Sequence, residues 1–257
     1  MRIDLHSHVK ISKKTDFMPE YFLEMMKEAR EAGLTGIAMT EHFNTRRYTD
    51  IYNFLDTHYP YENNYYMIDG LKLFPGIEVD VKEIGHILLI GNRKDVLSIR
   101  SLLETNTSED NFLAFDKLMD IAEHYDILKI GAHAFRDSTP LYHLKAEQLK
   151  RLDALDLNGK DLYAQGQKAY REKLEDFAGK LGLPIVGGSD THHFLQYGCI
   201  YNEFQNECDS VEQLKASIVS EQYKIHISAN LNLKVKAATL TKKWMKKALE
   251  KEKQLFG

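Results

Sequence analysis

The sequence predicts an α/β fold built on a mostly parallel sheet, either closed as a barrel or open and doubly wound. Short β-like runs alternate with longer helical patterns from one end of the chain to the other, and strands separated by helices form parallel sheets. At 257 residues, the chain also has the length of a single α/β barrel. No Pro/Gly/Ser-rich linker or internal repeat interrupts the alternation.

Seven segments carry the strand pattern, and an eighth is possible at 223–227. The predicted strands are 2–5, 36–40, 71–79, 86–91, 127–133, 152–157 and 184–190. The predicted helices are 19–33, 95–105, 111–124, 164–181 and one that begins at Ser210. Pro19 suits the start of the first helix and Gly33 its end, and the last helix opens with the capping-box pattern SVEQ.

We expect a barrel domain over 1–230 and a lysine-rich C-terminal helix, 231–257, packed on it. This last segment contains eight lysines and two glutamates, which gives it a local charge of plus six. Leu240, Trp244 and Ala248 are spaced to pack inward and leave the lysines in water. The alternative is that the lysines guide a polyanion such as an oligonucleotide.

Composition narrows the functional classes. Hydrophobic residues at 43% and charged residues at 28% are ordinary for a globular protein, and the net charge of −4 argues against wholesale nucleic-acid binding. Cys199 and Cys208 are too few for a disulfide framework, which favours a reducing compartment and hence the cytoplasm. Neither a leader pattern nor an apolar stretch near the ~20 residues of a membrane span is present, so we expect no membrane association.

Potential metal ligands cluster at the ends of the predicted strands. The first strand ends in His6 and His8, which project to one side because strand side chains alternate. The others are Glu41 and His42 after the second strand, Glu78 in the third, His86 at the start of the fourth, His133 after the fifth, and Asp190, His192 and His193 after the seventh. The carboxyl ends of barrel strands share one mouth, where active sites form. We therefore expect these side chains to converge.

The mixture of imidazoles and carboxylates, without thiolates, suits Zn, Mn or Fe. The ligands exceed what one ion needs, so the sequence predicts two or three divalent ions that share a bridging carboxylate. The D-x-H spacing places Asp190 and His192 on one face and favours His192 over His193. The remaining histidines are expected to have surface or core-edge roles; they are His58, His124, His143 and His226.

Seven short motifs occur in the order DLHSH, AMTEH, PGIEVD, GHILLIG, GAHAFR, LDLNG and GGSDTH. As an ordered set they resemble the PHP family, the polymerase and histidinol phosphatase superfamily of metal-dependent phosphoesterases. The resemblance covers most of the chain, from Met1 to about Ile227. It implies a distorted (β/α)7 barrel of TIM-like type, with the metal site at the C-terminal rim of the strands.

The resemblance also implies how the ligands are shared. The first ion would be held by His6, His8, Glu78 and Asp190, the second by Glu78, His86 and His133, and the third by His42 and His192. The family often adds an Asp or His shortly after the HxH pair, where this chain has Lys13 or Lys14. The third ion therefore lacks a ligand, unless Asp16 substitutes or a lysine ammonium replaces the charge of the ion.

The resemblance suggests a mechanism as well. Two cations lower the pKa of a shared water far below ~15.7 and so supply hydroxide for in-line attack on phosphorus. Arg136, close after His133, would fork onto phosphate oxygens and balance transition-state charge; its alternative role is a surface salt bridge. The expected catalytic residues are thus Glu78, Arg136 and Asp190, while Glu41 would orient a ligating histidine.

The favoured function is hydrolysis of a small phosphate monoester, such as histidinol phosphate or a nucleotide. Three alternatives stay open: a phosphodiesterase or exonuclease acting on short oligonucleotides, an amidohydrolase-type metal hydrolase, and a non-catalytic metal-binding module. The segment 43–70, rich in Phe and Tyr, has two interpretations. It is either a lid that stacks on a ring of the substrate or aromatic packing beneath a surface loop.

Overall fold

The computed structural model describes residues 1–256. The strands are β1 Arg2–Ser7, β2 Gly36–His42, β3 Tyr61–Glu62, β4 Tyr65–Ile68, β5 Leu71–Val81, β6 Gly85–Gly91, β7 Ile127–Gly131, β8 Ala154–Asn158, β9 Ile185–Gly188, β10 Ile200–Phe204 and β11 Tyr223–Ile227. The α-helices are α1 Pro19–Glu31, α2 Thr49–His58, α3 Arg93–Leu102, α4 Phe115–Ala122, α5 Ala146–Leu149, α6 Gly159–Gln165, α7 Gln167–Leu181, α8 Val211–Val219 and α9 Leu231–Phe256. Short 3₁₀ turns cover Glu109–Asn111 and Phe194–Gln196.

The sheet curls into a nearly closed barrel, which confirms the predicted α/β barrel class. Its strand order is β11-β10-β1-β2-β5-β6-β7-β8-β9. The chain just after β9 returns to the end of β1, where Ser7 and Thr191 form a parallel bridge. The His8 amide donates to the Thr191 carbonyl at 2.9 Å, and the Asp190 amide donates to the His6 carbonyl at 2.7 Å.

Among the strands from β1 through β2 and β5 to β9, β6 runs against the others. β6 pairs antiparallel with both β5 and β7, whereas β1–β2, β2–β5, β7–β8 and β8–β9 are parallel. A tight connection between Val81 and Gly85 joins β5 to β6. The sheet is therefore less parallel than the sequence predicts, and this reversal brings the first residues of β6 to the rim.

The strands bury both faces. Along β5, Leu73, Ile77 and Val79 belong to the larger apolar core, which includes buried residues of the surrounding helices, and Phe74 belongs to a smaller second core. Because strand side chains alternate, Glu78 lies on the same face as Phe74. Glu78 therefore lies above the smaller core, on the same face of β5. Because Phe74 must be buried on that face, the strand also directs Glu78 to that face.

The segment 43–70 contains α2 and the β3–β4 hairpin, neither of which the sequence analysis predicted. β4 pairs antiparallel with β5, with Tyr66 opposite Leu73. Tyr48, Tyr52 and Tyr66 are buried in the core. The aromatic residues of this segment therefore pack the interior, and the lid interpretation is not supported.

Several element boundaries also differ from the prediction. β10 was missed; it pairs antiparallel with β1 and β11. The predicted helix 164–181 is two helices, α6 and α7, separated by Gly166 with a φ of 90°. The predicted cap is present at α8, where the Ser210 side chain accepts a hydrogen bond from the Gln213 amide.

The C-terminal helix turns a different face inward from the one predicted. Leu240 and Trp244 are 54% and 60% exposed, so the predicted inward packing of Leu240, Trp244 and Ala248 is wrong. The inward stripe consists of Leu231, Val235, Ala238, Lys242, Met245 and Leu249. This stripe has regular helical spacing but includes Lys242. A search of the sequence for apolar residues alone therefore does not detect it. Among the described residues, no helix is long and apolar enough to cross a membrane.

Candidate metal centre

The side chains that the sequence placed at strand ends meet at one rim of the barrel. Three groups of buried ligand atoms lie close enough together to share an ion, within 4.8 Å in each group. The groups are His6, His8 and Asp190; Glu78, His86 and His133; and His8, His42 and His192. His86 opens its strand, but it reaches the same rim because β6 is reversed. The structure therefore brings all eight predicted ligands together.

Glu78 lies at the centre of the three groups. Its Oε1 is 2.6 Å from His86 Nδ1, 3.3 Å from His133 Nε2 and 3.6 Å from His6 Nε2. Its Oε2 is 2.7 Å from His42 Nδ1 and 3.4 Å from His8 Nε2. The two oxygens thus face different histidines. This is the arrangement that a bridging carboxylate requires.

His6 is oriented by a carboxylate that the list of predicted ligands did not include. Its Nδ1 lies 2.8 Å from Asp156 Oδ2, which leaves Nε2 to face Glu78 and Asp190. Gly188 makes this approach possible, since a Cβ there would lie 2.5 Å from Asp156 Oδ1 and 2.5 Å from the His6 Cβ. A carboxylate on the far nitrogen is the usual support of a metal-binding histidine, because it fixes the tautomer and the ring.

Glu41 lies behind His8. Its Oε1 is 3.8 Å from His8 Nδ1, and its Oε2 accepts hydrogen bonds from the Val9 and Lys10 amides. The backbone amide of His42 donates to Oε1. Burial opposes ionisation of Glu41, but the neighbouring His8 and His42 outweigh it and lower the pKa. These contacts are consistent with Glu41 as an orienting group.

Two of the histidines form ion pairs with carboxylates. Burial lowers the pKa of His86, but Glu78 and Asp80 outweigh it and raise the pKa to about 9. His6 is likewise buried, and Asp190 and Asp156 raise its pKa to about 10. Each of these rings therefore carries a positive charge that a bound cation would replace.

Three other histidines are held neutral. Burial lowers the pKa of His42 to about 4 and that of His133 to about 3, with Arg136 adding to the effect at His133. Burial and the nearby His8 hold the pKa of His192 well below its usual value. A neutral imidazole is the form that binds a metal ion.

The donor set fits divalent cations because several of its buried atoms form no hydrogen bond of acceptable geometry, although His42 Nδ1 and Glu78 Oε2 are only 2.7 Å apart. These atoms are Nε2 of His6, both ring nitrogens of His8, Nδ1 of His42 and Oε2 of Glu78. Buried polar groups are normally satisfied, so a cluster of exceptions needs an explanation. Metal ions would provide these ligand atoms with the partners that they lack.

Asp190 connects the ligands to two cationic side chains. Its Oδ1 is 2.8 Å from Lys160 Nζ, and its Oδ2 is 2.8 Å from Arg136 Nη2. Arg136 also donates hydrogen bonds to Asp161 Oδ2 at 2.7 Å and to Asn158 Oδ1 at 3.0 Å. The guanidinium therefore lies beside the predicted ligands, but in this structure it is partly buried and binds the buried carboxylates of Asp161 and Asp190.

The loop after the HxH pair supplies a lysine to the rim. Lys13 Nζ is 2.8 Å from Asp80 Oδ2, and Asp80 Oδ1 is 2.8 Å from His86 Nε2. Asp16 instead faces Arg46, with 3.0 Å between Asp16 Oδ1 and Arg46 Nε. A lysine ammonium thus occupies this side of the site, and Asp16 lies outside it.

Two ligand-bearing turns have unusual backbones. His133 and Asp190 have φ values of 33° and 55°, in the left-handed region that non-glycine residues rarely adopt. Such strain persists where the surrounding structure holds a side chain in a required direction. His193, the alternative ligand, instead caps the 3₁₀ turn Phe194–Gln196.

The sequence analysis did not single out several polar groups of the site; they are Asp80, Asp156, Asp161 and Lys160. The motifs PGIEVD and LDLNG contain Asp80 and Asp156, so the motif order offered a signal for these two residues. Lys160 and Asp161 depend on contacts across the barrel. The histidines expected to lie outside the site do so: His58, His124 and His143 are exposed, and His226 pairs with Glu203 at 2.8 Å.

Cavities open on two sides of the ligand groups. One, of about 520 Å³, is lined by His42 and His192 together with residues of the 12–15 loop and α9. The other, of about 560 Å³, is lined by Asp80 and His86. Lys13 lines both. Ligands of drug size occupy pockets of roughly this volume.

Comparisons with known proteins agree with the barrel. The model of the PHP-associated family PHP_C matches residues 169–223. PsfC from Pseudomonas syringae PB-5123 superposes with a TM-score of 0.76 at 20% identity, covering 95% of this chain and 98% of that one. No curated protein matches the sequence.

Two further solved structures share the fold. The lesion-specific endonuclease Q from Pyrococcus furiosus has a TM-score of 0.63 at 20% identity, and the match covers 88% of this chain but 58% of that one. A protein from Bifidobacterium adolescentis, provisionally described as a metal-dependent phosphoesterase, has a TM-score of 0.51 at 17% identity, over 76% of this chain and 88% of that one. At these identities the likeness concerns the fold.

Proposed function

We propose that a chain with this motif order, this PHP-associated segment and this barrel is of PHP type, and that it is a metal-dependent phosphoesterase that hydrolyses small phosphate monoesters. The observation that carries the proposal is the meeting of three ligand groups around one glutamate, Glu78, at the mouth of the barrel. Clustered cations suit phosphoryl chemistry, since they balance the charges of the attacking and leaving oxygens.

The ligand groups suggest which residues would hold the ions. His6, His8 and Asp190 would hold one, and His86 and His133 a second, with Glu78 shared between them. His8, His42 and His192 offer a third place made of imidazoles alone. Zn, Mn and Fe accept this mixture of nitrogen and oxygen donors.

Bound divalent ions would lower the pKa of a water to near neutrality and withdraw electrons from the phosphoryl group. The ammonium of Lys160, 2.8 Å from Asp190, is placed to hold the oxygens of a phosphate at the same site. Arg136 orients Asp190 through their 2.8 Å contact. Arg136 would contact the phosphate itself only if its contact with Asp190 were released.

The size of the mouth favours a small ester over a polymer. The cavity beside His42 and His192 has a volume of about 520 Å³, and α9 supplies part of its wall. The solved complex of endonuclease Q contains a 27-mer duplex, but the match covers 56% of that chain. Phosphodiester cleavage is therefore the second outcome that the same assay would detect.

The two cysteines are free and buried, in keeping with the cytoplasmic location that we propose.

The test measures phosphate release from a panel of phosphomonoesters, with a chromogenic phosphodiester in parallel. The protein is loaded with Zn, Mn or ferrous iron and compared with chelator-treated protein. Glu78→Gln should abolish turnover, whereas Glu62→Gln, an exposed control, should leave it unchanged. Monoester hydrolysis that depends on metal and on Glu78 supports the proposal. Its absence with every metal, or equal activity of Glu78→Gln, would refute it.

A further inference from the structure

Four lysines surround the mouth beside the ligand groups. Lys13 and Lys14 come from the loop after β1, and Lys242 and Lys246 come from α9. They line the 520 Å³ cavity whose inner wall includes His42 and His192, and the one carboxylate of its lining is that of Glu250. Lysines from two distant parts of the chain thus face the same space.

The two lysines of α9 lie one helical turn apart on its inward side. Lys242 interrupts a stripe that is otherwise apolar, from Val235 through Ala238 to Met245. Burying an ammonium on such a stripe is costly unless it meets a negative charge. By contrast, the neighbouring Lys243 is exposed to solvent.

Three of these four lysines have no carboxylate partner among the described side chains. Lys13 pairs with Asp80 at 2.8 Å, but among the side chains that the structure describes, no carboxylate lies within 4 Å of the ammonium groups of Lys14, Lys242 or Lys246. Burial, together with the positive charge of Lys160 and Lys246, lowers the pKa of Lys242 to about 7. An anion in the cavity would relieve this repulsion and satisfy the lysine donors.

We propose that the substrate carries a second anionic group, remote from the reacting phosphate, and that Lys242 and Lys246 bind this group. The inference rests on the proposed function, because it takes the phosphate to lie at the histidine groups. The substrate class is then a small phosphate ester with a carboxylate or a second phosphate at its other end. The limited cavity volume and the position of α9 in its wall favour a compact molecule.

The first test measures binding alone. Phenylphosphonate and 4-carboxyphenylphosphonate are matched, non-hydrolysable probes that differ in one carboxylate. By calorimetry on the zinc-loaded protein, we expect the carboxylate to strengthen binding roughly tenfold to a hundredfold, the range of a charge-assisted hydrogen bond. Lys242→Met and Lys246→Met keep an apolar side chain and should each lose part of this gain in affinity. The double variant should lose all of it.

The control variant is Lys243→Met, on the exposed side of the same helix. It removes the same charge from α9 and should retain the full preference for the carboxylate. Equal binding of the two phosphonates by the wild-type protein would overturn the inference. So would an equal loss in Lys243→Met and Lys242→Met, since that pattern reports only the general charge of the helix.

The second test uses turnover and separates the two sources of the anion. Glycerol 3-phosphate and 3-phosphoglycerate differ in whether the end remote from the phosphate is a neutral hydroxyl or a carboxylate. Fructose 1-phosphate and fructose 1,6-bisphosphate differ in whether that end is a neutral hydroxyl or a second phosphate. Lys242→Met should lower kcat/KM only for the member of a pair that has the second anion. If no ester is hydrolysed but the phosphonate preference depends on Lys242, the proposed function fails and the anion site stands. If esters are hydrolysed without any preference, the anion site fails alone.

Discussion

Replacing Gly188 with alanine should loosen the metal centre although no proposed ligand is itself substituted. An alanine Cβ would lie 2.5 Å from the His6 Cβ and from Asp156 Oδ1, against an ordinary contact of about 3.5–4.0 Å between carbon atoms. His6 and Asp156 are almost fully buried, so neither can swing into water. One of them must retreat by about 1 Å, and the hydrogen bond between them is lost.

The expected magnitudes follow from that displacement. Overpacking a dense interior costs typically ~1–3 kcal/mol of unfolding free energy, and loss of the group behind a ligating histidine weakens metal binding ~10–100-fold. Urea denaturation and metal titration would measure the two effects. Gly179→Ala is the matched control, because nothing lies within 4 Å of its Cβ position in α7 and the change should stabilise the helix by ~1 kcal/mol. Unchanged metal affinity in Gly188→Ala would refute the role assigned to Asp156 and His6.

Three further predictions concern the same centre. Glu78→Gln should lower metal content by at least one ion per chain in elemental analysis, because a neutral amide bridges cations poorly; full metal content would contradict the bridging role. Asp16→Asn should change neither metal content nor rate, since Asp16 pairs with Arg46 at 3.0 Å outside the site; a lost ion would show that the carboxylate moves in. Arg136→Ala should destabilise the protein by ~3–5 kcal/mol in urea denaturation by leaving a buried carboxylate unpaired, and Arg136→Lys, which keeps the charge but not the fork, should restore only part of this; wild-type stability in the alanine variant would disprove the buried pair.

The sequence predicted which side chains converge at the rim better than it predicted the sheet around them. His6 and His8 at one strand end and Asp190 at another had to converge once the chain formed a barrel, because such strands share a mouth. His86 did not fit this rule, since it opens its strand. The reversed direction of β6 explains why His86 still lies at the same rim. An apolar run such as HILLIG, however, carries no information on strand direction.

Other features depended on tertiary contacts that no local pattern encodes. The inward face of α9 includes Lys242, and a search for apolar spacing selected Leu240 and Trp244 instead. Asp156 reaches His6 across 150 residues of sequence. The pairing of Lys13 with Asp80 likewise joins a loop to a strand 67 residues away, so the substitution of a lysine at a ligand position could be noticed but its partner could not.

The junction between β9 and β1 has no regular ladder: an isolated bridge and two backbone hydrogen bonds cross it, together with hydrogen bonds of Ser189 to the Asp4 carboxylate and the His6 carbonyl. Ligands from both sides of this seam, His6 and Asp190, belong to one group. An ion held there would join two segments that are more than 180 residues apart in the sequence. The entropy cost of bringing two segments together rises with the length of chain between them. Removing the ion should then let the amides of His8 and Asp190 exchange with solvent before those of the central strands, in which case the ions that we propose for the chemistry would also stabilise the closed barrel.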